Sequence, residues 1–226
     1  MIDFNYWRSE EGKTKMRLIK DKELKEAKEL EELRLKTCAF TGHRPQKLEG
    51  GYDWKHPKNI ELAKAIRNQV LKLIEEENVN RFIFGGALGI DQMSFAICNR
   101  IKETKYPDLY LILAMPFENQ ANKWFKQEDR DRLIKQKELA NEVILVDELK
   151  DFRYSVNNIP DKIYHPAKMQ KRNEYMFDNC NYLIAIWDGT NSGTGNCVKY
   201  ARKSIGSGVA IIKIHPKTLN VEISYC

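Results

Sequence analysis

A chain of 226 residues, 42% hydrophobic and 10% aromatic, can bury one core of ordinary size with an appendage, or two small cores. Its net charge of +6, from 38 basic and 32 acidic residues, suits an anionic small molecule and falls short of the concentrated basic surface of a nucleic-acid binder. No apolar run approaches the ~18 to 20 residues of a membrane span, and the opening MIDFNYWRSEEGKTK is unlike a signal peptide, so a soluble, cytoplasmic protein with no membrane partner is expected.

Residues 13–36 are charged, lack Pro and Gly, and carry a thin apolar stripe at Leu24, Ala27, Leu30 and Leu33. This predicts a helix, either laid against the rest of the chain or packed on a second copy, and a homo-oligomer is expected. Residues 1–36 are therefore set apart as a helical extension from a domain spanning 37–226. From there strands and helices alternate. TCAFTG reads as a strand ending at Gly42. A helix follows over 57–77, with Pro57 in its first turn and Ile60, Ala63, Ile66, Val70, Leu73 and Ile74 at helical spacing. A strand is predicted over 81–84, a helix over 90–101, a strand over 109–114 and a helix from about 119 to 140. The strand EVILV, a helix over about 167–179, the strand YLIAIW, a helix after Gly193 and the strand VAIIKI complete the series. Six short, mostly apolar strands with helices between them indicate an α/β fold, an open parallel sheet with helices on both faces, beside the N-terminal charged helix.

Ligands of such sheets bind beyond the carboxyl ends of the strands, which selects the loops to inspect. In FIFGGALGID an apolar run ends in Gly85, Gly86 and Gly89. These glycines either shape a tight turn or let backbone amides approach an anion at a helix N-terminus. The spacing is neither G-x-G-x-x-G nor a Walker loop. Gly193-Thr194-Gly195 opens a second helix and offers further amides and a hydroxyl. Arg44 and Arg172 can bind phosphate through two N–H groups. Asp91 reads either as a helix cap or as a partner for a ribose hydroxyl. Trp124 and Phe125 read as packing residues or as a platform for a base. Together these strand-end features indicate an anionic-ligand site. The five cysteines are scattered without a C-x-x-C, and the four histidines lack ligand spacing, so neither disulfides nor a metal is expected.

The segments FTGHRPQKL, GGALGID, MPFENQANKW, MQKRNEYM and GTGNCVKYA, in that order, resemble the SLOG superfamily and its YpsA-like branch. Smf/DprA and Lonely Guy proteins are relatives of that branch. The resemblance covers roughly 36–214 and leaves the N-terminal helix unmatched. It implies a Rossmann-like fold and a cleft for a nucleotide or nucleotide-derived ligand, such as an ADP-ribose-like, NAD-like or signalling nucleotide. The implied phosphate cradle is Gly85, Gly86, Ala87 and Gly89 with Gly193, Thr194 and Gly195, flanked by Thr41, Gly42 and Arg44. Arg172 and Asn173 match a helical element of the Lonely Guy enzymes. Pro116, Gln120 and Trp124 match the YpsA-like motif after the third strand, which places Trp124 beside the base. Asp91 and Asp188 complete the expected ligand-binding set.

One position departs from the phosphoribohydrolase relatives, which carry a glutamate in G-T-x-x-E. Here Cys197 stands at that place, and a neutral thiol cannot replace a carboxylate that stabilises positive charge on a ribose. The expected function is a sensor or sequestering protein that needs no cofactor, with no catalytic residue assigned. An N-glycosidase or hydrolase using Asp91, Asp188 or Glu174 is the alternative. A DprA-like single-stranded DNA binder is the second alternative. It requires a basic groove with exposed aromatics, and with no concentrated basic strip a nucleic-acid partner is not expected.

Overall fold

The computed structural model describes residues 9–153, 163–203 and 208–226. The chain divides into two compact units, residues 1–35 and 36–226. The first contains α1 (Glu10–Leu35), a 26-residue helix. Ion pairs one turn apart, such as Lys22–Glu26 at 3.7 Å and Arg34–Glu31 at 2.7 Å, run along it. Each adds only a few tenths of a kcal/mol at about this exposure.

In the second unit the described residues form a seven-stranded sheet. Its strands are β1 (Thr37–Gly42), β2 (Arg81–Phe84), β3 (Tyr110–Met115), β4 (Glu142–Leu145), β5 (Tyr182–Ile186), β6 (Ala210–Ile214) and β7 (Val221–Tyr225). Their order is β4-β3-β2-β1-β5-β6-β7. Neighbours from β4 to β6 are parallel, and β7 runs antiparallel to β6 with Ile212 opposite Ile223. Between the strands lie α2 (Pro57–Glu77), α3 (Ile90–Thr104), α4 (Gln127–Leu139), α5 (Pro166–Asp178) and α6 (Gly193–Lys203). This is the Rossmann-like α/β architecture that the alternating pattern predicts.

Alternation along the strands assigns the two faces. Phe40, Phe82, Phe84, Leu111, Leu113, Ile184 and Ile186 pack with Leu62, Ile66 and Val70 of α2 and with Phe95 and Cys98 of α3. Ala39, Ile83, Ile112, Leu183, Ala185 and Ile211 face the other way, onto Met176 and Phe177 of α5 and Cys197, Val198 and Ala201 of α6. Phe40 stacks on Phe84 at 5.1 Å, and Phe84 meets the edge of Phe95. Each fully buried ring of this kind contributes roughly 1.5–3 kcal/mol. All described cysteines are free thiols, and all but Cys226 are buried.

Three expectations need correction. The helix predicted from about 119 begins only at Gln127, because 118–123 form turns that hold Gln120 inward. Ile60, assigned to the apolar face of α2, is 42% exposed, and the neighbouring Asn59 is buried in its place, donating to the Asp53 carbonyl at 2.7 Å. The seventh strand was absent from the predicted series, since VEISY is exposed throughout and has no continuous apolar run. Among the described residues no helix is long and apolar enough to cross a membrane.

Candidate functional site

The chain builds outward from β1 to β4 and then returns to place β5 against the other side of β1. Loops leaving β1 and β5 therefore diverge, opening a crevice at the point where strand order reverses. A cleft lies there in two contiguous halves of about 500 and about 530 Å³, which share Arg44, Ala87, Tyr164 and Met169. Each half falls within the volume range of small-molecule sites, roughly 300–1,000 Å³. The first half is the more polar of the two and lies over β1 and the start of α6. The second is more apolar and lies over the loop after β3.

Under the polar half, the glycine turn of GGALGID encloses an internal ion pair. Arg172 from α5 and Asp91 from α3 are 5% and 6% exposed, with Nη1 and Oδ2 3.2 Å apart. The same Asp91 oxygen accepts from the Ala87 amide at 3.2 Å, tying the turn to the pair. A methyl group on Gly85 would overlap the Arg172 guanidinium and come within 2.6 Å of Asp91 Oδ2. Gly86 adopts φ +65°, a conformation disfavoured for residues with a Cβ. A Cβ there would point at Gln120 and Leu133, inside the protein. Gly85 thus makes room for Arg172, and Gly86 turns the chain. Arg172 Nε is buried and has no partner among the described residues. A buried donor left unpaired costs about 1–3 kcal/mol, more for a charged group, so the contacts around this guanidinium do not satisfy it fully.

Arg44 borders the same half but is not held in such an ion pair. It is exposed, lines both halves, and its guanidinium makes no hydrogen bond or ion pair among the described residues. Across the cleft is the N-terminus of α6. There the Ser192 hydroxyl accepts from the Gly195 amide at 3.0 Å, and the Asn196 amide donates to the Ser192 carbonyl at 2.9 Å. The amides of Gly193 and Thr194 have no acceptor among the described residues, and both residues line the polar half. Free amides, a helix dipole and an unpaired guanidinium bordering one space are the groups that attract an anion.

A second set of contacts ties the β1 loop to the β5 loop. Buried His43 lies 2.8 Å from Asp188 Oδ1 through Nε2. The Thr190 hydroxyl donates to that oxygen at 2.6 Å, and Lys47 donates to the Thr190 hydroxyl at 2.8 Å. Burial lowers the His43 pKa, opposed by Asp188, so the imidazole is neutral at pH 7. Slight loss of solvent raises the Asp188 pKa, but hydrogen bonds from Thr190 and His43 outweigh it and hold the carboxyl well below the usual range. In α6, burial pushes the Cys197 thiol up to about 11, against the opposing effect of the Thr41 hydroxyl. It is therefore a neutral thiol.

The apolar half is walled by Phe117, Trp124, Ile163, Tyr164 and Met169. Phe117 meets Tyr164 edge-on at 6.5 Å. Behind Phe117, buried Lys168 pairs with Asp147 at 2.7 Å. Gln120 reaches back to the glycine turn, donating from Nε2 to the Gly86 carbonyl at 2.9 Å. Trp124 is half-buried against the core and also borders the cleft. Phe125, read as a packing residue or a platform, is 97% exposed and lies outside both halves.

Of the expected ligand-binding set, the polar half is lined by Thr41, Gly42, Arg44, Ala87, Asp91, Arg172, Asn173, Gly193 and Thr194. Gln120 and Trp124 line the apolar half. Gly85, Gly86, Gly89, Pro116, Asp188 and Gly195 line neither and stand behind the walls. Lining residues not foreseen include Phe117, Tyr164 and Met169, and His43 and Lys47 beside Arg44. All of these but Tyr164 lie within the quoted motifs. No spacing rule could join Arg172 to Asp91 across 81 residues.

Comparison with known proteins gives the chain relatives. Residues 38–217 match the family model YpsA, the YspA SLOG family. The SPbeta prophage-derived protein YoqJ of Bacillus subtilis is 38% identical over 174 residues, covering 76% of this chain and 98% of that protein. A UPF0398 protein of Halalkalibacterium halodurans is 27% identical over 161 residues, covering 71% of this chain and 76% of its own. Among solved structures, DNA processing protein A of Streptococcus pneumoniae aligns with a TM-score of 0.49 at 15% identity, covering 78% of this chain and 54% of that one. The Helicobacter pylori protein of the same name, a single-stranded DNA binder, aligns with a TM-score of 0.44 at 15% identity, over 77% and 64%.

Proposed function

The chain belongs to the YpsA family of SLOG proteins, and on that premise we propose that it binds a nucleotide-derived ligand as a sensor or sequestering protein. One observation carries the reading: unpaired Arg44 and the free amides of Gly193 and Thr194 face one polar space that continues into an aromatic-walled one. A phosphate or diphosphate suits the first space, where charge-assisted hydrogen bonds are roughly twice as strong as neutral ones. A base suits the second, between Trp124, Phe117 and Tyr164. Arg44, common to both halves, neutralises the linkage between them. Gly85, Gly86, Gly89, Pro116, Asp188 and Gly195 serve this site by shaping the loops.

Binding is favoured over N-glycoside hydrolysis because each candidate acid is committed to a partner. Asp91 holds Arg172, Asp188 holds His43 and Thr190, and Glu174 accepts from Lys171 at 2.7 Å and Gln170 at 3.2 Å. Cys197 as a neutral thiol supplies no carboxylate. Isothermal titration with ADP-ribose, NAD and ADP tests the proposal, and saturable binding at one site per chain is expected for at least one of them. Mass spectrometry of the purified protein for retained small molecules provides a second readout. No binding by any of the three and no retained nucleotide would overturn the reading. In the same preparation, AMP should remain intact by chromatography, and release of adenine in proportion to protein would restore the hydrolase.

A further inference from the structure

The turn after β3 carries Gln120 into the wall of the apolar half with its amide orientation fixed. Nε2 donates to the Gly86 carbonyl at 2.9 Å, with the Gly85 carbonyl 3.5 Å away. Both carbonyls only accept, so the NH₂ group belongs on that side and Oε1 faces away from the turn. Oε1 is buried and has no partner among the described residues, and the whole side chain is 8% exposed. Gln120 shares the wall with Phe117, Trp124 and Met169. Asn119 and Asn122 lie nearby on the same loop but are exposed, so solvent satisfies them and either amide can rotate. The wall of the apolar half therefore holds a buried side-chain acceptor that cannot turn into a donor without breaking its bond to Gly86.

We propose that Gln120 is a specificity-determining residue whose Oε1 accepts a hydrogen bond from an exocyclic amino group on the base of the ligand. The inference rests on the reading of the cleft as a nucleotide site and goes beyond it by selecting the base. Amino-bearing bases pair the acceptor, and counterparts without the amine leave it buried and unpaired. Sites built to pair a polar ligand group reject the analogue lacking it far more strongly than an apolar pocket rejects a missing methylene.

Titration of the full chain with two pairs of diphosphates tests this. One pair is ADP and purine riboside 5′-diphosphate, and the other is GDP and inosine 5′-diphosphate. Each pair differs only by the exocyclic amine. In at least one pair the amine-bearing member should bind at least tenfold more tightly. In Gln120→Met, which keeps the bulk and removes the acceptor, that ratio should fall toward one. Equal binding within both pairs by the unaltered protein overturns the role of Gln120 and leaves the cleft a nucleotide site. A Gln120→Met protein that keeps the full ratio overturns it as well. Failure of all four to bind overturns this inference together with the reading beneath it. The comparison on the unaltered chain does not depend on the variant folding.

Discussion

Arg172 is buried in an ion pair with Asp91, whereas the Arg44 guanidinium lines the cleft with no direct ion pair among the described residues, so the two arginines should respond differently to truncation. Arg172→Ala strands a buried carboxylate, a change that costs roughly 3–5 kcal/mol. At roughly 2–4 °C per kcal/mol for a domain of this size, Tm should fall by about 10 °C. Arg44→Ala should leave Tm within a degree or two and weaken ADP-ribose binding at least tenfold, about 1.4 kcal/mol. Thermal unfolding and titration of both variants decide the matter, and equal Tm losses would return Arg44 to a structural role. His43 supplies a pH test. Its folded pKa lies below the unfolded value of ~6.5, so the unfolded chain takes up the proton first. This group's contribution is complete above ~6.5 and is lost as pH falls through the folded pKa. Tm should therefore decline between pH 7.5 and 5.5, and His43→Gln should flatten that decline. An unchanged slope would show that the imidazole is not held neutral. The sequence marks both arginines as candidates for phosphate. It cannot distinguish them, because the difference is Asp91, 81 residues from Arg172 and brought beside it only by the sheet.

At the scale of elements, legibility follows how local the determining contacts are. The predicted helix over 57–77 has the bounds of α2, because its signals are local. Pro57 sits at its start, His56 accepts from the Lys58 amide at 3.2 Å, and Asn78 ends it in a left-handed conformation at φ 56°. The start of α4 was misplaced because MPFENQANKW holds residues a helix accepts. What keeps it in turns is tertiary, the Gln120 bond to Gly86. β7 was missed for a related reason. Its five residues are all exposed, and its pairing with β6 supplies the only strand partner it has among the described residues. That position predicts a stability gradient across the sheet. Local opening is easiest where buried apolar contacts are few. Hydrogen exchange should show the β7 amides exchanging well before those of β1 and β5, which are buried and flanked on both sides. Equal protection of β7 and β1 would mean that another contact covers this edge.

The whole molecule places its loops by topology. The return of the chain to β5 beside β1 brings the Arg44 loop and the start of α6 to one crevice, although about 150 residues separate them along the chain. Every residue lining both halves of the cleft falls within 36–226, the second compact unit, which contains both faces of the core. Ligand binding should then be a property of that unit alone. A ligand that binds only the folded state raises stability by about 2.7 kcal/mol at a hundredfold excess over Kd. For a domain of this size the corresponding rise in Tm is roughly 5–10 °C. A chain beginning at Lys36 should unfold in one transition and keep the full ADP-ribose-dependent rise. The same shortened chain carrying Arg44→Ala should lose most of that rise while its unliganded Tm stays in place. If removing residues 1–35 abolishes the ligand-dependent rise and the shortened chain still unfolds cooperatively, the extension contributes to the site. The binding unit would then be larger than the sheet and its five helices.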